Sequence, residues 1–547
     1  MPNLRFALTA AATTAFVTLA SCAPKASETA ASTAPPAISP GDWLTFNRTL
    51  AGDRFSPLKD LNRSNVARLQ QRCSYTLPEV TSLQTGPIVI GGTMYFTTDT
   101  ISYAINAATC AEKWKQVRHS ETPSALSVNR GFAYLDGRLF RGTSDSHVLA
   151  MDTTDGHVIW DHVIDEKAPG VSIPMAPVAA DGRVYVGHAG GDQVGVTGHV
   201  YALDAADGHV VWKFEVVPET PEVLATWTNR ALPRSGGGLW TSLTFDAMND
   251  ILYVPAGNPA PDFDIERRTG DNLYTNSVIA LDGATGRMLG YNQLVKRDAH
   301  DWDVDSPVAL VTTSTGKLLG LSANKDGLLS VLDRSKVTRD TTKAVDLAAQ
   351  LPLVYQVPTT TRSNMDVPLS RTKKVRFCPG ITGGSEWNGA AYSPDLNTVY
   401  VGAVDWCATV LLEPADRPVP ELGKSWLAAG NDDLFGPPTE AKGWLTAFDA
   451  ENGTVRWKFA APRPMLAGVT PTAGGLVFAA DMGGELYAFS ADSGAVLWHT
   501  NTGQSTGGGI VTYTAGGQQL LGVASGMKSP VWPGAADQSR ILVYGLQ

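Results

Sequence analysis

One twelve-residue pattern recurs along the 547-residue chain and limits the folds open to it. It consists of an apolar strand with Ala-x-Asp near its end, a turn ending in Gly, and a strand ending in Trp. Neighbouring Trp residues lie 41 to 52 residues apart where the series is unbroken. The copies are Tyr103–Trp114, Leu149–Trp160, Tyr201–Trp212, Thr446–Trp457 and Tyr487–Trp498, with Ile279–Tyr291 as a variant and Ser330–Arg334 as a degenerate copy.

Several short strands repeated every 40 to 50 residues are typical of the blades of a β-propeller. The turn Gly tolerates positive φ and so allows a tight hairpin, and each Trp is large enough to hold one blade against the next. We therefore expect an all-β propeller in which most Trp residues are structural. The final strand, Ile541–Leu546, is expected to pair with the N-terminal blade and close the ring, which removes exposed edges.

The first 22 residues have the features of an export signal. Arg5 precedes the apolar segment Phe6–Ala20, which is too short for a comfortable transmembrane helix. The sequence L-A-S-C ending at Cys22 matches a bacterial lipoprotein signal, in which Cys22 becomes the lipidated first mature residue. An ordinary secretory signal with an incidental Cys is the alternative. We predict a disordered tether over residues 23–41 and the propeller over 42–547.

These features predict an exported, periplasmic protein that is bound to a bacterial membrane through a lipid anchor only. Four further cysteines, an even number, suit such an oxidising compartment. They allow three pairings, and we expect Cys73–Cys110 and Cys378–Cys407, since each closes a loop about one blade long. The net charge of −10, without any Lys/Arg run, argues against a nucleic-acid partner. There is no Cys-x-x-Cys-His, so no c-type haem is expected on this chain.

The stretch Asp298–Asp305 (D-A-H-D-W-D-V-D) holds four acids and a histidine in a chain with only 18% charged residues. Acids packed this closely repel one another unless water, a cation or a basic partner offsets them. Three loops are longer than a propeller needs, Pro218–Gly238, Asn258–Thr275 and Pro414–Lys442. Such loops are usually functional or disordered. Their Gly, Pro, Trp and acidic residues favour function.

The repeat, the segment Arg54–Leu69 and these loops together resemble the pyrroloquinoline quinone (PQQ)-dependent alcohol dehydrogenases over nearly all of the chain from Asp42 onward. The resemblance implies a single eight-bladed propeller with the quinone and a metal ion at its centre. It also implies a disulfide between Cys378 and Cys407.

Individual motifs carry the family's functional residues onto this sequence. In V-N-R-G, the resemblance implies that Arg130 contacts the quinone oxygens. In G-G-G-L-W, it implies that Trp240 forms the floor under the quinone ring. Lys325, in N-K-D-G, is the basic residue expected to contact the quinone, and Asp303, in W-D-V-D, is the expected catalytic base. Asp303 would take the alcohol proton while the carbon-bound hydrogen leaves as hydride.

The resemblance also implies the metal ligands, which are Asp192, Asn258, Asp303 and Asp305. Oxygen ligands suit a hard cation that binds the quinone and polarises its carbonyl. Asp305 occupies the position where some family members carry an extra carboxylate and use a lanthanide instead of calcium, so both metals remain open. In the loop Gly190–Gly198 the ligand could be either Asp192 or Gln193, and we prefer Asp192 because a carboxylate neutralises a cation better.

The chain departs from the family pattern at several positions. Thr197 stands where the family has Arg, Pro174 replaces a cofactor-contacting Thr, and Glu386 replaces an Asn. The adjacent-cysteine disulfide of many members is missing, because Ala125–Ser127 stands there. Together these departures suggest a divergent subfamily with altered cofactor contacts or substrate.

We therefore expect a periplasmic PQQ- and metal-dependent dehydrogenase that oxidises an alcohol or polyol to the carbonyl compound. Its electrons would pass to a separate cytochrome c or similar carrier. Two alternatives remain open. One is a non-catalytic PQQ-like propeller lipoprotein that acts as a binding or outer-membrane assembly module, and the other is a metal-dependent propeller hydrolase.

Overall fold

The computed structural model of the protein describes residues 39–120, 128–164, 169–340, 345–430, 434–534 and 536–547. The predicted signal with Cys22, the predicted tether as far as residue 38, and Ala125–Ser127 lie outside these residues. In the part that is described, the chain forms eight four-stranded antiparallel sheets and two short two-stranded ones. The prediction of an all-β, eight-bladed propeller is therefore confirmed.

The eight blades follow one another along the chain. Blade one contains Ile88–Ile90, Thr93–Thr97, Ile101–Asn106 and Glu112–Val117, and blade two contains Ala133–Leu135, Arg138–Gly142, His147–Asp152 and Val158–Val163. Blade three contains Val178–Ala180, Arg183–Gly187, His199–Asp204 and Val210–Glu215, and blade four contains Thr244–Asp246, Ile251–Ala256, Ser277–Asp282 and Met288–Gln293. Blades five to eight contain Ala309–Thr312, Leu318–Ala323, Leu328–Asp333, Leu353–Pro358; Ala391–Ser393, Thr398–Asp405, Lys442–Asp449, Val455–Ala461; Thr470–Pro471, Leu476–Ala480, Glu485–Ser490, Val496–Asn501; and Ile510–Ala515, Gln518–Ser525, Arg540–Leu546 with Leu69–Thr76.

The remaining elements are short. The first strands of blades two to eight contact one another in series, so the first strand of each blade lies innermost. Outside the blades, the two-stranded sheets pair Ser235–Gly236 with Pro259–Ala260, and Val375–Phe377 with Ala408–Val410. Three single turns of helix are found at Val66–Arg68, Pro221–Leu224 and Leu347–Ala349. In the described ranges, no helix has the length and hydrophobicity needed to cross a membrane.

The two ends of the propeller chain meet in blade eight. The N-terminal strand Leu69–Thr76 pairs antiparallel with the C-terminal strand Arg540–Leu546, with Leu69 opposite Leu546 and Thr76 opposite Arg540. The predicted closure of the ring is confirmed. Because this strand completes the blade, the C-terminal strand Arg540–Leu546 is paired on both sides.

Four of the repeated Trp residues join neighbouring blades in the same way. The ring N–H of Trp114 donates to the Thr153 carbonyl of the next blade at 3.0 Å. Trp212 donates to Gly283 at 2.9 Å, and Trp457 to Ala491 at 3.1 Å. The turn Gly of the next blade lies on the ring, so a Cβ at Gly156 would come 2.7 Å from Trp114. The Gly and the Trp of the repeat are therefore two halves of one contact, made between consecutive copies.

Blade five makes this contact with a different residue. Its third strand, Leu328–Asp333, contains the predicted degenerate copy, but a long connection follows before the fourth strand. Tyr355 in that fourth strand donates its hydroxyl to the Ala450 carbonyl of blade six at 2.9 Å and lies against the turn residue Gly453. Tyr355 thus takes the place of the Trp.

Both predicted disulfides are confirmed. Cys73 in the outermost strand of blade eight is bonded to Cys110 in blade one, which ties the closing strand to its neighbour. Cys378 is bonded to Cys407, at the short sheet formed by Val375–Phe377 and Ala408–Val410. The second disulfide lies close to the acid-rich stretch, because Trp302 donates its ring N–H to the carbonyl of the adjacent Pro379 at 3.0 Å.

Candidate active site at one end of the propeller

The topology places the predicted quinone, metal and catalytic residues at one end of the propeller. In a four-stranded antiparallel blade, the connection from strand two to strand three and the connection to the next blade leave from the same end. Asp192, Asn258 and Lys325 lie in connections of the first type, and Arg130, Trp240, Asp303 and Asp305 lie in connections of the second type. The hairpin turns of the repeat lie at the opposite end, so structural and candidate catalytic residues are separated.

Asp303 is held by contacts from two blades. Its Oδ1 accepts the backbone N–H of Asn258 at 2.9 Å, and its Oδ2 accepts Lys325 Nζ at 2.9 Å. The residue is only 5% exposed. Gly257 allows this approach, since a Cβ there would collide with Asp303 Oδ1. The carboxylate is therefore oriented by fixed donors, as a catalytic base must be.

Lys325 lies between two carboxylates of the acid-rich stretch. Its Nζ is 2.9 Å from Asp303 and 3.2 Å from Asp301. Burial alone lowers the pKa of Lys325, but these two carboxylates outweigh it and hold that pKa well above its usual value. Lys325 is therefore a permanent positive charge, and it can stabilise negative charge that develops nearby.

Three carboxylates converge on one point next to Asp303. Single oxygens of Asp192, Asp262 and Asp301 all lie within 4.8 Å of one another. Asn258 Nδ2 donates to Asp262 Oδ1 at 3.1 Å, so the predicted ligand Asn258 also borders this group. Sequence reasoning missed Asp262 and Asp301 as members. The acidity of the Asp298–Asp305 stretch pointed toward Asp301, but we see no sequence signal for Asp262.

The structure brings Asp192, and not Gln193, to this group. Asp192 is an exposed residue, but its carboxylate is surrounded by protein, and this burial of the carboxylate raises its pKa to about 6. The Gln193 amide instead faces the carbonyls of Gly170 and Gly190, at 3.0 and 2.6 Å when its nitrogen is turned toward them. The loop fits here because its glycines pack against backbone. A Cβ at Gly198 would collide with the Gly237 carbonyl.

Asp305 lies deep in the same centre, apart from the three grouped carboxylates. It is 2% exposed, and neither of its oxygens has a hydrogen-bond partner in the described structure. Burial, and then the charges of Glu386 and Asp303, raise the pKa of Asp305 well above its usual value. Burial likewise raises the pKa of Glu386 to about 8. The unusual Glu386 therefore adds a further acid to an already acidic centre.

Arg130 lies between two Trp rings. Its guanidinium carbon is 4.9 Å from the ring centre of Trp240 and 5.1 Å from that of Trp387. It donates to the Trp240 carbonyl at 2.8 Å and to Gln84 at 2.7 Å, while its Nε is buried without a partner. The Arg130 backbone N–H donates to the carbonyl of Pro174, the residue that replaces the family's Thr. Trp240 is half-buried, so one flat apolar surface remains next to a fixed cation.

Arg268 connects the two acidic loops and was also missed from the sequence. It is 3% exposed, and its guanidinium donates to the carbonyls of Pro261 and Asp262 at 2.7 and 2.9 Å. A further donation reaches the Asp298 carbonyl. These bonds fix the backbone that presents Asp262 and Asp301, without neutralising either carboxylate by direct contact.

The other residues of the acid-rich stretch are structural. Asp298 accepts the backbone N–H groups of His300 and Trp302, each at 3.0 Å. The His300 ring stacks on Trp302 with centroids 4.2 Å apart. The stack holds the His300 ring against Trp302. The hydrogen bonds accepted by Asp298 and the stacking of His300 on Trp302 therefore fix the backbone that carries Asp301, Asp303 and Asp305.

The residues present fit both a hard cation and a planar anionic molecule. The converging donors are all oxygens, which suits a hard cation, and buried unpartnered carboxylate oxygens remain at Asp262 and Asp305. The aromatic face of Trp240 with Arg130 and Lys325 suits a flat molecule that carries carboxylates. Fold and site together define a propeller oxidoreductase of the quinoprotein class.

Comparison with known proteins identifies the family. Residues 43–338, more than half of the chain, match the family model of the glucose/ethanol/alcohol dehydrogenase β-propeller domain of the PQQ class. The chain belongs to the PQQ-dependent alcohol dehydrogenase family, and it is an oxidoreductase. A shorter stretch, residues 441–532, matches the model of the outer membrane protein assembly factor BamB.

Individual relatives cover most of the chain. The quinohemoprotein alcohol dehydrogenase ADH IIB of Pseudomonas putida is 29% identical over 543 residues, which span 92% of this chain and 78% of that protein. The quinoprotein ethanol dehydrogenase of Pseudomonas aeruginosa is 28% identical and is covered over 89% of its length. The solved structure of the Pseudomonas putida quinohemoprotein alcohol dehydrogenase ADHIIG superposes with a TM-score of 0.81 at 26% identity, over 93% of this chain and 80% of that one.

Proposed function

We propose that this protein is an exported, lipid-anchored dehydrogenase that uses PQQ and a metal ion to oxidise a primary or secondary alcohol, or a polyol, to the carbonyl compound. The observation that carries this proposal is the placement of Asp303 between the Asn258 N–H and Lys325, next to three converging carboxylates. A base, a fixed cation and a hard-metal donor set in one buried centre are what hydride abstraction from an alcohol requires.

Each residue has a role in this proposal. Asp303 accepts the hydroxyl proton of the alcohol at the carboxylate that Lys325 and Asn258 orient. Trp240 supports the plane of the cofactor, and Arg130 and Lys325 hold its oxygens and offset negative charge. Asp192, Asn258, Asp303 and Asp305 would hold the cation. Bound PQQ supplies the electrophilic carbonyl that accepts the hydride.

PQQ binding to the purified, cofactor-free chain tests the proposal. Absorbance titrations would be made with calcium, with lanthanum and with chelator. We expect saturable binding that requires a metal and is lost in Asn258→Ala. Asp264→Asn serves as a control, because Asp264 lies in the same loop but is paired with Arg267 and Arg371. Absence of binding under every metal would overturn the proposal and favour the non-catalytic propeller.

The match to the BamB model does not favour the non-catalytic alternative. The stretch 441–532 contains none of the predicted quinone or metal residues, all of which lie within residues 43–338. It matches the part of the ring that consists of repeat blades, and such blades occur in propellers of many functions. Dye reduction that depends on added PQQ would also separate this protein from a hydrolase.

The cellular setting forms part of the proposal. The L-A-S-C sequence at Cys22 supports lipidation, and the two disulfides support an oxidising compartment. The electron acceptor is proposed to be a separate cytochrome c or similar carrier, because the chain has no Cys-x-x-Cys-His. Cys22→Ser should move the protein from the membrane fraction to the soluble periplasmic fraction. Unchanged membrane association would contradict a lipid anchor at this residue.

A further inference from the structure

Asp262 is a buried carboxylate in which only one of the two oxygens has a hydrogen-bond partner in the described structure. It is 1% exposed, its Oδ1 accepts the Asn258 amide at 3.1 Å, and its Oδ2 has no hydrogen-bond partner in the part of the chain that is described. It forms no ion pair with a described residue. An unpaired carboxylate is costly to bury, so a group of this kind calls for a partner that is supplied from outside the chain.

The residue two positions further on provides a contrast. Asp264 is equally buried, at 1% exposed, but its Oδ2 contacts Arg371 at 2.8 Å and Arg267 at 3.2 Å. The nearest arginine to Asp262 behaves differently, because Arg268 donates to the backbone carbonyl of Asp262 and not to its carboxylate. The loop therefore neutralises one acid with arginines and leaves the other open toward the centre.

The open acid lies within the coordination distance of a single cation. Oxygens on calcium or a similar hard cation lie 2.3–2.6 Å from it, so two ligands on opposite sides are at most about 5 Å apart. The oxygens of Asp192, Asp262 and Asp301 lie within 4.8 Å of one another. One cation can therefore contact all three carboxylates, of which Asp192 is the exposed one.

We propose that Asp262 is a direct ligand of the metal ion at the quinone site and that, together with Asp301, it makes this centre selective for a trivalent cation over calcium. This ligand is additional to those implied by the family resemblance. The inference rests on the proposed function in one respect, namely that this cation is the metal ion that binds next to the quinone. At equal distance, the Coulomb attraction between a carboxylate and a trivalent ion is about 1.5 times that for a divalent ion, so an added carboxylate favours the trivalent ion.

Terbium binding to the full, PQQ-free chain tests this proposal. Terbium emission sensitised by nearby Trp residues would report the trivalent ion, and displacement by calcium would report the divalent one. In Asp262→Asn, which preserves shape and the bond to Asn258, we expect terbium affinity to fall by about 10- to 100-fold and calcium affinity to fall less. Asp264→Asn should change terbium affinity by no more than about threefold.

Thermal unfolding without metal distinguishes a ligand from a structural residue. Asp262→Asn removes an unpaired buried charge, so the metal-free melting temperature should stay the same or rise, whereas Asp264→Asn breaks two ion pairs and should lower it. The inference is overturned if Asp262→Asn binds terbium like wild type, if it also loses metal-free stability, or if wild type binds no terbium. Because PQQ is absent here, these results are separate from the PQQ titration that tests the proposed function.

Discussion

The rim of the propeller and its centre treat buried polar groups in different ways. At the rim, the ring N–H groups of Trp114, Trp212 and Trp457 each donate to a carbonyl of the next blade. At the centre, buried oxygens of Asp262 and Asp305 have no partner in the described structure. The contrast shows that contacts at the rim stabilise the fold, whereas the unpaired carboxylates at the centre destabilise it and are suited to binding a ligand such as a metal ion.

The largest effect is expected at the centre. Asp303→Asn keeps the side-chain shape but removes the base, so the rate of alcohol oxidation should fall by about 10²- to 10⁴-fold. The measurement is kcat with a primary alcohol and an artificial electron acceptor, at saturating PQQ and metal. The melting temperature should fall as well, because the buried ion pair with Lys325 is broken, so kcat is compared at a temperature where the variant is fully folded. If most of the activity survived, Asp303 would not be the base and the division between rim and centre would lose its main support.

A change at the rim should have the opposite result. Trp457→Ala removes the contact between blades six and seven, far along the chain from the metal loops, and should lower the free energy of unfolding by about 3–5 kcal/mol. Denaturant unfolding measures the loss. Trp457→Phe, which lacks the N–H bond but keeps a ring, should lose much less. A large fall in kcat at a temperature where Trp457→Ala is fully folded would contradict the separation of the two regions.

Arg268→Lys tests the boundary between the two regions. Lysine cannot reproduce the planar set of donors that reaches the carbonyls of Pro261, Asp262 and Asp298. We expect metal affinity to fall by about 10-fold, with a small change in melting temperature. Arg371→Lys, near the paired Asp264, is the matched control and should leave metal affinity unchanged. Equal losses in the two variants would mean that the loop responds to any lost arginine.

The last prediction concerns pH. Burial raises the pKa of Glu386 from 4.5 to about 8, so the folded chain binds this proton more tightly than the unfolded one does. Ionisation of Glu386 therefore lowers the free energy of unfolding. This loss is absent below pH 4.5, grows as the pH rises from about 4.5 to 8, and is constant above that range. Glu386→Gln should therefore gain stability over wild type across that window, measured as melting temperature without metal or PQQ. A difference independent of pH would show that Glu386 is not protonated in the folded chain.

The sequence predicted the rim better than the centre for a physical reason. The Trp and Gly of the repeat are set by local hairpin geometry, and the same contact recurs in four of the copies. Tyr355 escaped because an insertion separates it from its copy, Ser330–Arg334. Its role is visible only through the contact with Ala450.

At the centre, the resemblance supplied Asp192, Asn258, Asp303 and Lys325, and the structure brings these together. It could not supply Asp262, because no local pattern marks an acid four residues after Asn258 as part of a metal group. That grouping depends on the meeting of three loops from two blades and on the bonds made by Arg268. Asp192 was preferred over Gln193 from the sequence only because a carboxylate neutralises a cation better. Which of the two side chains the loop turns toward the other carboxylates depends on the backbone path.

The closing of the ring by both chain ends has a consequence for the order of events during synthesis. Leu69–Thr76 is synthesised early, yet the strand that it pairs with in the described structure, Arg540–Leu546, follows after all the other blade strands. Until that strand is made, the early strand remains unpaired and blade eight is incomplete. The bond of Cys73 to Cys110 can form before then, because both cysteines belong to the early part of the propeller sequence.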